Sequence, residues 1–128
     1  MGRRRRDKDD PRLTDAELEI MDALWEGGEQ DVGELAARLG DGRAYTTVAT
    51  LLRILEQKGF ALARKDGRRL LYRPQTERPR WQSATVADLV QRVFGGDARG
   101  LVRSLLDSGE IDDKELAAIR AMLDEDRS

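Results

Sequence analysis

The chain has 128 residues, 38% of them charged and 5% aromatic, with a net charge of −2, a size that fits one domain or a small domain with an appendage. It holds no cysteine and no histidine, which removes disulfides, thiolate zinc sites, an imidazole base and a cysteine nucleophile, and sets the expectation of no cofactor, no metal and no enzyme activity. Its longest apolar runs, Phe60 to Ala63 and Leu116 to Ile119, are four residues long against the roughly 20 of a membrane span; with no apolar leader after Met1-Gly2, a soluble cytoplasmic protein without membrane insertion is expected.

The small net charge conceals segregation. Residues 1–12 hold six cations against three anions, 13–41 one against nine, 42–80 ten against three, and 97–128 five against nine. For nucleic-acid binding the distribution matters more than the sum. The opening tract, Arg3 to Arg6, reads as part of a flexible basic arm, 1–12, expected either to touch DNA or to keep the protein in solution.

A first helix is announced by Thr14 as cap, Glu17 as its reciprocal partner, and Leu13 with Leu18 as hydrophobic staple. Leu18, Met21, Leu24 and Trp25 recur at helical spacing as its inner face, and Gly27-Gly28 ends it. A second, shorter helix begins near Asp31 with Glu34 in the reciprocal position and Val32, Leu35, Ala36 and Leu39 inward. After the break Gly40-Asp41-Gly42, a third helix, Ala44 to Lys58, turns Val48, Leu51, Leu52 and Leu55 inward. Arg43, Tyr45, Thr46, Thr47, Ala49, Thr50 and Arg53 are left at its start or on its other surfaces. Two helices joined by a short glycine turn, the later one offering polar residues from its amino-terminal half, make a helix-turn-helix. Short hydroxyl side chains and one arginine suit the edges of base pairs.

Lys58-Gly59 stops the third helix. Phe60 to Lys65 then meets Arg68 to Arg73 across Asp66-Gly67, a dipeptide suited to a type I′ turn. This hairpin reads as a wing. Arg64, Lys65, Arg68 and Arg69 cluster at its tip, where like charges opposed across strands would repel until a polyanion relieved them. After a linker, Arg73 to Arg80, containing Pro74 and Pro79, come apolar stripes: Val86, Leu89, Val90, Val93 and Phe94; Leu101, Val102, Leu105 and Leu106; and a helix opened by the box Asp112 and Glu115 that carries Leu116, Ile119 and Leu123. A segment so small and so apolar on one side is expected to bury its stripes against a second copy, giving a twofold homodimer.

The run Leu13-Thr14-Asp15-Ala16-Glu17-Leu18-Glu19-Ile20-Met21-Asp22-Ala23-Leu24-Trp25, with Ala44-Tyr45-Thr46-Thr47-Val48-Ala49-Thr50-Leu51-Leu52 and Lys58-Gly59-Phe60, resembles the penicillinase repressor family, the BlaI and MecI group, and the similarity extends through Leu89 to Leu123. The resemblance implies a cytoplasmic, dimeric winged-helix repressor of palindromic operators, relieved when a membrane sensor-protease system cuts its dimerisation region. It implies base or phosphate contacts from Tyr45, Thr46, Thr47, Ala49, Thr50 and Arg53 and wing contacts from Arg68 and its neighbours. Antibiotic resistance is one regulon it suggests. Where the best-known members are cut between asparagine and phenylalanine, this chain has Ser104-Leu105, and it lacks the paired cysteines of the copper-responsive relatives.

The expected fold is therefore mainly α with a small β-hairpin wing (α+β): an arm at 1–12, a winged helix-turn-helix DNA-binding domain at 13–76 and a helical dimerisation domain at 77–128. The expected partner is double-stranded DNA. The alternative is a winged-helix protein-interaction module whose basic wing meets an acidic protein.

Overall fold

The computed structural model describes residues 10–40 and 43–127; the Arg3 to Arg6 arm and the Asp41-Gly42 break lie outside them. Helix α1, Asp15–Gly27, begins as its sequence dictates. The Thr14 hydroxyl accepts the Glu17 N–H at 3.1 Å and the Glu17 carboxylate accepts the Thr14 N–H at 2.9 Å, satisfying two donors that a helix start otherwise leaves open. Its buried face is Glu17, Ile20, Met21, Ala23 and Leu24, while Leu18 and Trp25 are only partly covered. The inner stripe keeps Met21 and Leu24 but is rotated from the expected one to take in Glu17. Its carboxylate turns inward to the Lys58 ammonium at 2.6 Å, so a charged residue occupies a place where an apolar pattern was sought.

Gln30 and Asp31 form β1, a two-residue strand that the sequence reading lacked because two residues carry no periodicity. The Gln30 side chain is buried, donating to the carbonyls of Ala23 at 3.1 Å and Gly28 at 3.0 Å and accepting from Arg38 at 3.2 Å. Helix α2, Val32–Leu39, follows at once with a second reciprocal box. Glu34 N–H reaches Asp31 at 2.8 Å and Asp31 N–H reaches Glu34 at 2.9 Å. Helix α3, Tyr45–Lys58, has Ala44 at its cap position, which offers no side-chain cap, and ends at Gly59, whose φ of 89° is one that residues with a Cβ rarely adopt. Val48, Leu52 and Leu55 of α3 are fully buried with Ile20, Met21, Leu24 and Leu35. These side chains are the centre of the core.

Strands β2, Ala61–Asp66, and β3, Arg69–Pro74, complete an antiparallel sheet in the order β1-β3-β2. The hairpin register departs from expectation. Asp66 pairs with Arg69, Lys65 with Leu70 and Arg64 with Leu71, so the loop is Gly67-Arg68 rather than Asp66-Gly67. Gly67 has φ of 64° and no residue other than glycine has positive φ among the described residues, the pattern of a type II′ turn with glycine first, not type I′. The shift removes the predicted like-charge opposition. Each wing cation of the paired strands now faces leucine or aspartate.

Helix α4, Arg78–Phe94, starts inside the expected linker; Pro79 is tolerated there because the first turn makes no use of its missing N–H. Its early residue Trp81 packs on the core beside Trp25, ring centroids 5.5 Å apart. The indole N–H of Trp25 donates to the Thr76 carbonyl at 2.8 Å and that of Trp81 to the Pro11 carbonyl at 2.7 Å. Arg78 lies 5.2 Å over the Trp25 ring and pairs with Asp22 at 3.1 Å, a cation over an aromatic face.

The chain divides between Thr85 and Val86 into two compact units. The second contains the rest of α4, α5 at Ala98–Asp107 and α6 at Asp113–Arg127. Asp112 and Glu115 form the expected box at the start of α6, at 2.8 and 3.2 Å. No described residue from Val86 to Asp126 is fully buried. Among the described residues no helix is long and apolar enough to cross a membrane, and no group of His, Cys, Asp or Glu is placed to hold a metal ion.

Candidate nucleic-acid interface

Helix α3 turns one side to the core and the other to solvent. Thr46, Thr47, Thr50 and Arg53 are exposed, Ala49 is half-buried, and Tyr45 is 59% exposed at the helix start. An exposed tyrosine beside three exposed threonines on the amino-terminal half of a helix is a polar reading edge of the kind that enters a major groove. Between α3 and the wing runs a groove of about 460 Å³, lined on one side by Tyr45, Ala49 and Arg53 and on the other by Arg68, Leu70 and Tyr72. Burial pushes the Tyr72 phenol up, with Glu56 adding to the effect, so Tyr72 meets the groove as a neutral phenol beside the Arg68 cation.

The structure sorts the cations that the sequence grouped together. Arg64 makes a bidentate pair with Glu29 at 2.7 and 2.8 Å, and the Arg64 hydrogen bond is the main reason the Glu29 carboxyl lies below its ordinary range. Arg69 reaches Asp31 at 3.0 Å and Glu34 at 2.8 Å. Asp31 is likewise held low, first by the Glu34 backbone N–H and then by Arg69. Arg43 pairs with Glu19 at 2.7 Å. Among the described residues Arg53, Lys65 and Arg68 form no ion pair. Arg53 and Arg68 flank the groove, and Lys65 shares a strand face with Leu70.

The sequence reading missed the acidic partners Glu29, Asp31 and Glu34. A signal was present, since the nine anions of 13–41 precede the ten cations of 42–80 and charge blocks of opposite sign fold together readily. The stripes assigned to dimerisation are open: Val86, Val93, Val102, Ile119 and Leu123 are exposed, and Leu89, Val90, Phe94, Leu101, Leu105, Leu106 and Leu116 half-buried. Met122, 61% exposed, extends the last stripe. Ser104 and Leu105 lie within α5.

Three helices packed about one core, the third with a hydroxyl-rich outer edge, and a β-hairpin set beside it define a winged helix-turn-helix of the DNA-binding class. The sequence pattern of the penicillinase repressor matches residues 13–125, and the chain belongs to that family. It is 24% identical over 120 residues to the penicillinase repressor of Bacillus licheniformis, covering 92% of this chain and 94% of that one. Two solved structures are similar at 30% identity, each over 52% of this chain and 84% of the other: the DNA-binding domain of the repressor BlaI, TM-score 0.48, and the monomeric form of Bacillus licheniformis BlaI with the blaP half-operator, TM-score 0.46.

Proposed function

We propose that the chain is a cytoplasmic homodimeric repressor that occupies a palindromic operator. Each protomer lays the amino-terminal half of α3 in a major groove, with Tyr45, Thr46, Thr47, Thr50 and Arg53 toward base edges and Lys65 and Arg68 toward the flanking phosphates. The observation that carries this reading is the pair of cations without ion-pair partners among the described residues, Arg53 and Arg68, on opposite walls of the groove beside the hydroxyl edge. Half-sites are then spaced by about one helical turn, roughly 34–36 Å, or a multiple, and occupation of a promoter excludes polymerase. The reading role falls to the domain expected at 13–76 and the dimerisation role to that expected at 77–128, of which the residues up to Thr85 belong to the winged unit.

Dimerisation is supported by the open stripes of the second unit and by a shallow apolar groove of about 350 Å³ along Ala98, Val102 and Leu106 of α5. Such faces are ordinarily covered in a stable assembly. Sedimentation of the full chain at micromolar concentration is expected to give a dimer, and Val93→Asp, which puts charge into a stripe, is expected to shift it to monomer. Family membership supports relief by cleavage in this region. The Ser104-Leu105 bond lies in a helix, so scission there requires α5 to open locally first.

Arg68→Gln is the direct test of the phosphate role. Titration of duplex DNA at a series of salt concentrations is expected to show weaker binding to all sequences and a salt slope smaller by about 0.9, the value for one lost phosphate contact. An unchanged slope would remove Arg68 from the interface.

A further inference from the structure

Strand β1 pairs with β3 only at Leu71 and Tyr72. Beyond Leu71 the wing has no backbone partner but its own second strand, and a two-stranded ribbon is marginal in water. What lies alongside it instead is a set of side chains. Asp31 Oδ1 accepts the Glu34 N–H at 2.8 Å while its Oδ2 accepts Arg69 Nε at 3.0 Å. Glu34 Oε1 accepts the Asp31 N–H at 2.9 Å and Arg69 Nη2 at 2.8 Å. One reciprocal cap at the start of α2 is thereby also the seat of a wing arginine, and Arg64 is seated on Glu29 in the other strand. We infer that Arg69, held by Asp31 and Glu34, is a positioning residue that sets the wing against the helix-turn-helix and leaves Lys65 and Arg68 to meet the polyanion, rather than a phosphate contact itself. The inference rests on the DNA-binding reading for its consequence, but the tether is a property of the protein alone.

The geometry explains why both features sit together. Asp31 is at once the last residue of β1, the cap of α2 and a ligand of Arg69, so the wing is referred to the same point from which α2 starts. Both Asp31 and Arg69 also line the groove beside α3. A wing free to tilt would have to be ordered again on binding, which weakens affinity while leaving the Arg68 contact in the bound state.

The test compares the full chain with R69Q, D31N and R68Q, using amide hydrogen exchange without DNA and affinity for a short mixed-sequence duplex against salt. Asparagine keeps the capping acceptor, so D31N removes the charge without the cap. R69Q and D31N are each expected to speed exchange across residues 64–70 by about two- to fivefold, the factor an exposed ion pair carries, with α3 protection unchanged and the wild-type salt slope retained. R68Q is expected to do the reverse: lower the slope by about 0.9 and leave exchange unchanged. Unaltered wing exchange in R69Q, or a slope lowered by about one in that variant, overturns the assignment. If the wild-type chain ignores the duplex at low salt, the DNA-binding reading fails and wing exchange alone decides the tether.

Discussion

Replacing Lys58 with methionine is expected to cost the fold about 3 kcal/mol at neutral pH. Lys58 closes α3 and its ammonium lies 2.6 Å from Glu17 at the start of α1, with side-chain exposures of 15% and 5%. Burial by itself pushes the Glu17 carboxyl up. The Lys58 and Thr14 hydrogen bonds outweigh that and hold it below its ordinary value. Methionine fills the space of the lysine stem but leaves a buried carboxylate with only its capping donors, and breaking one side of a buried pair costs far more than the pair itself contributes. Adding Glu17→Gln, which keeps the reciprocal cap, is expected to recover most of the loss.

The pH dependence follows from the direction of the shift. A carboxyl whose folded value is depressed adds stability that is fully present above its unfolded value and is lost as pH falls through the folded one. Without Lys58, burial is opposed only by the cap, the Glu17 value rises, and protonation ceases to cost stability. The gap between wild type and Lys58→Met in urea unfolding is therefore expected to narrow on acidification toward about pH 4. A gap of equal size at both pH values would assign the role of Lys58 to packing of its stem.

Arg53→Ala carries the second large effect, a loss of about 1 to 3 kcal/mol in specific binding with a relaxed preference at one position of each half-site. Arg53 is exposed on α3 and makes no ion pair among the described residues, so its truncation should leave stability within about 0.5 kcal/mol of wild type. Binding loss is then separable from folding loss. Fragments selected from genomic DNA by the wild type and by the variant give the comparison; identical base preferences would mean that Arg53 reaches no base.

The elements that could be read from the sequence are those whose signal is local. All three reciprocal boxes, Thr14 with Glu17, Asp31 with Glu34 and Asp112 with Glu115, form as expected, because cap and partner lie within one turn of each other. The exposed polar side of α3 was legible for the same reason, as the complement of an apolar stripe of ordinary period. What escaped depends on contacts distant in sequence. Strand β1 exists only because Leu71 and Tyr72 come alongside Gln30 and Asp31. The wing register could not be chosen from Asp66-Gly67 alone, since glycine serves the first place of one turn type as well as the second place of another. Nor could spacing separate Arg64 and Arg69, held by Glu29, Asp31 and Glu34, from Arg68, which needs side-chain distances across 35 or more residues.

The two tryptophans have a practical consequence for spectroscopy. They are the only indoles in the chain, and they share one cluster at the base of the winged domain, tied to the carbonyls of Pro11 and Thr76. Intrinsic emission is therefore a single-location probe of the winged domain. A change in its wavelength on adding duplex would register distortion relayed to the foot of the domain, and quenching by added iodide would time the loosening of that foot during unfolding.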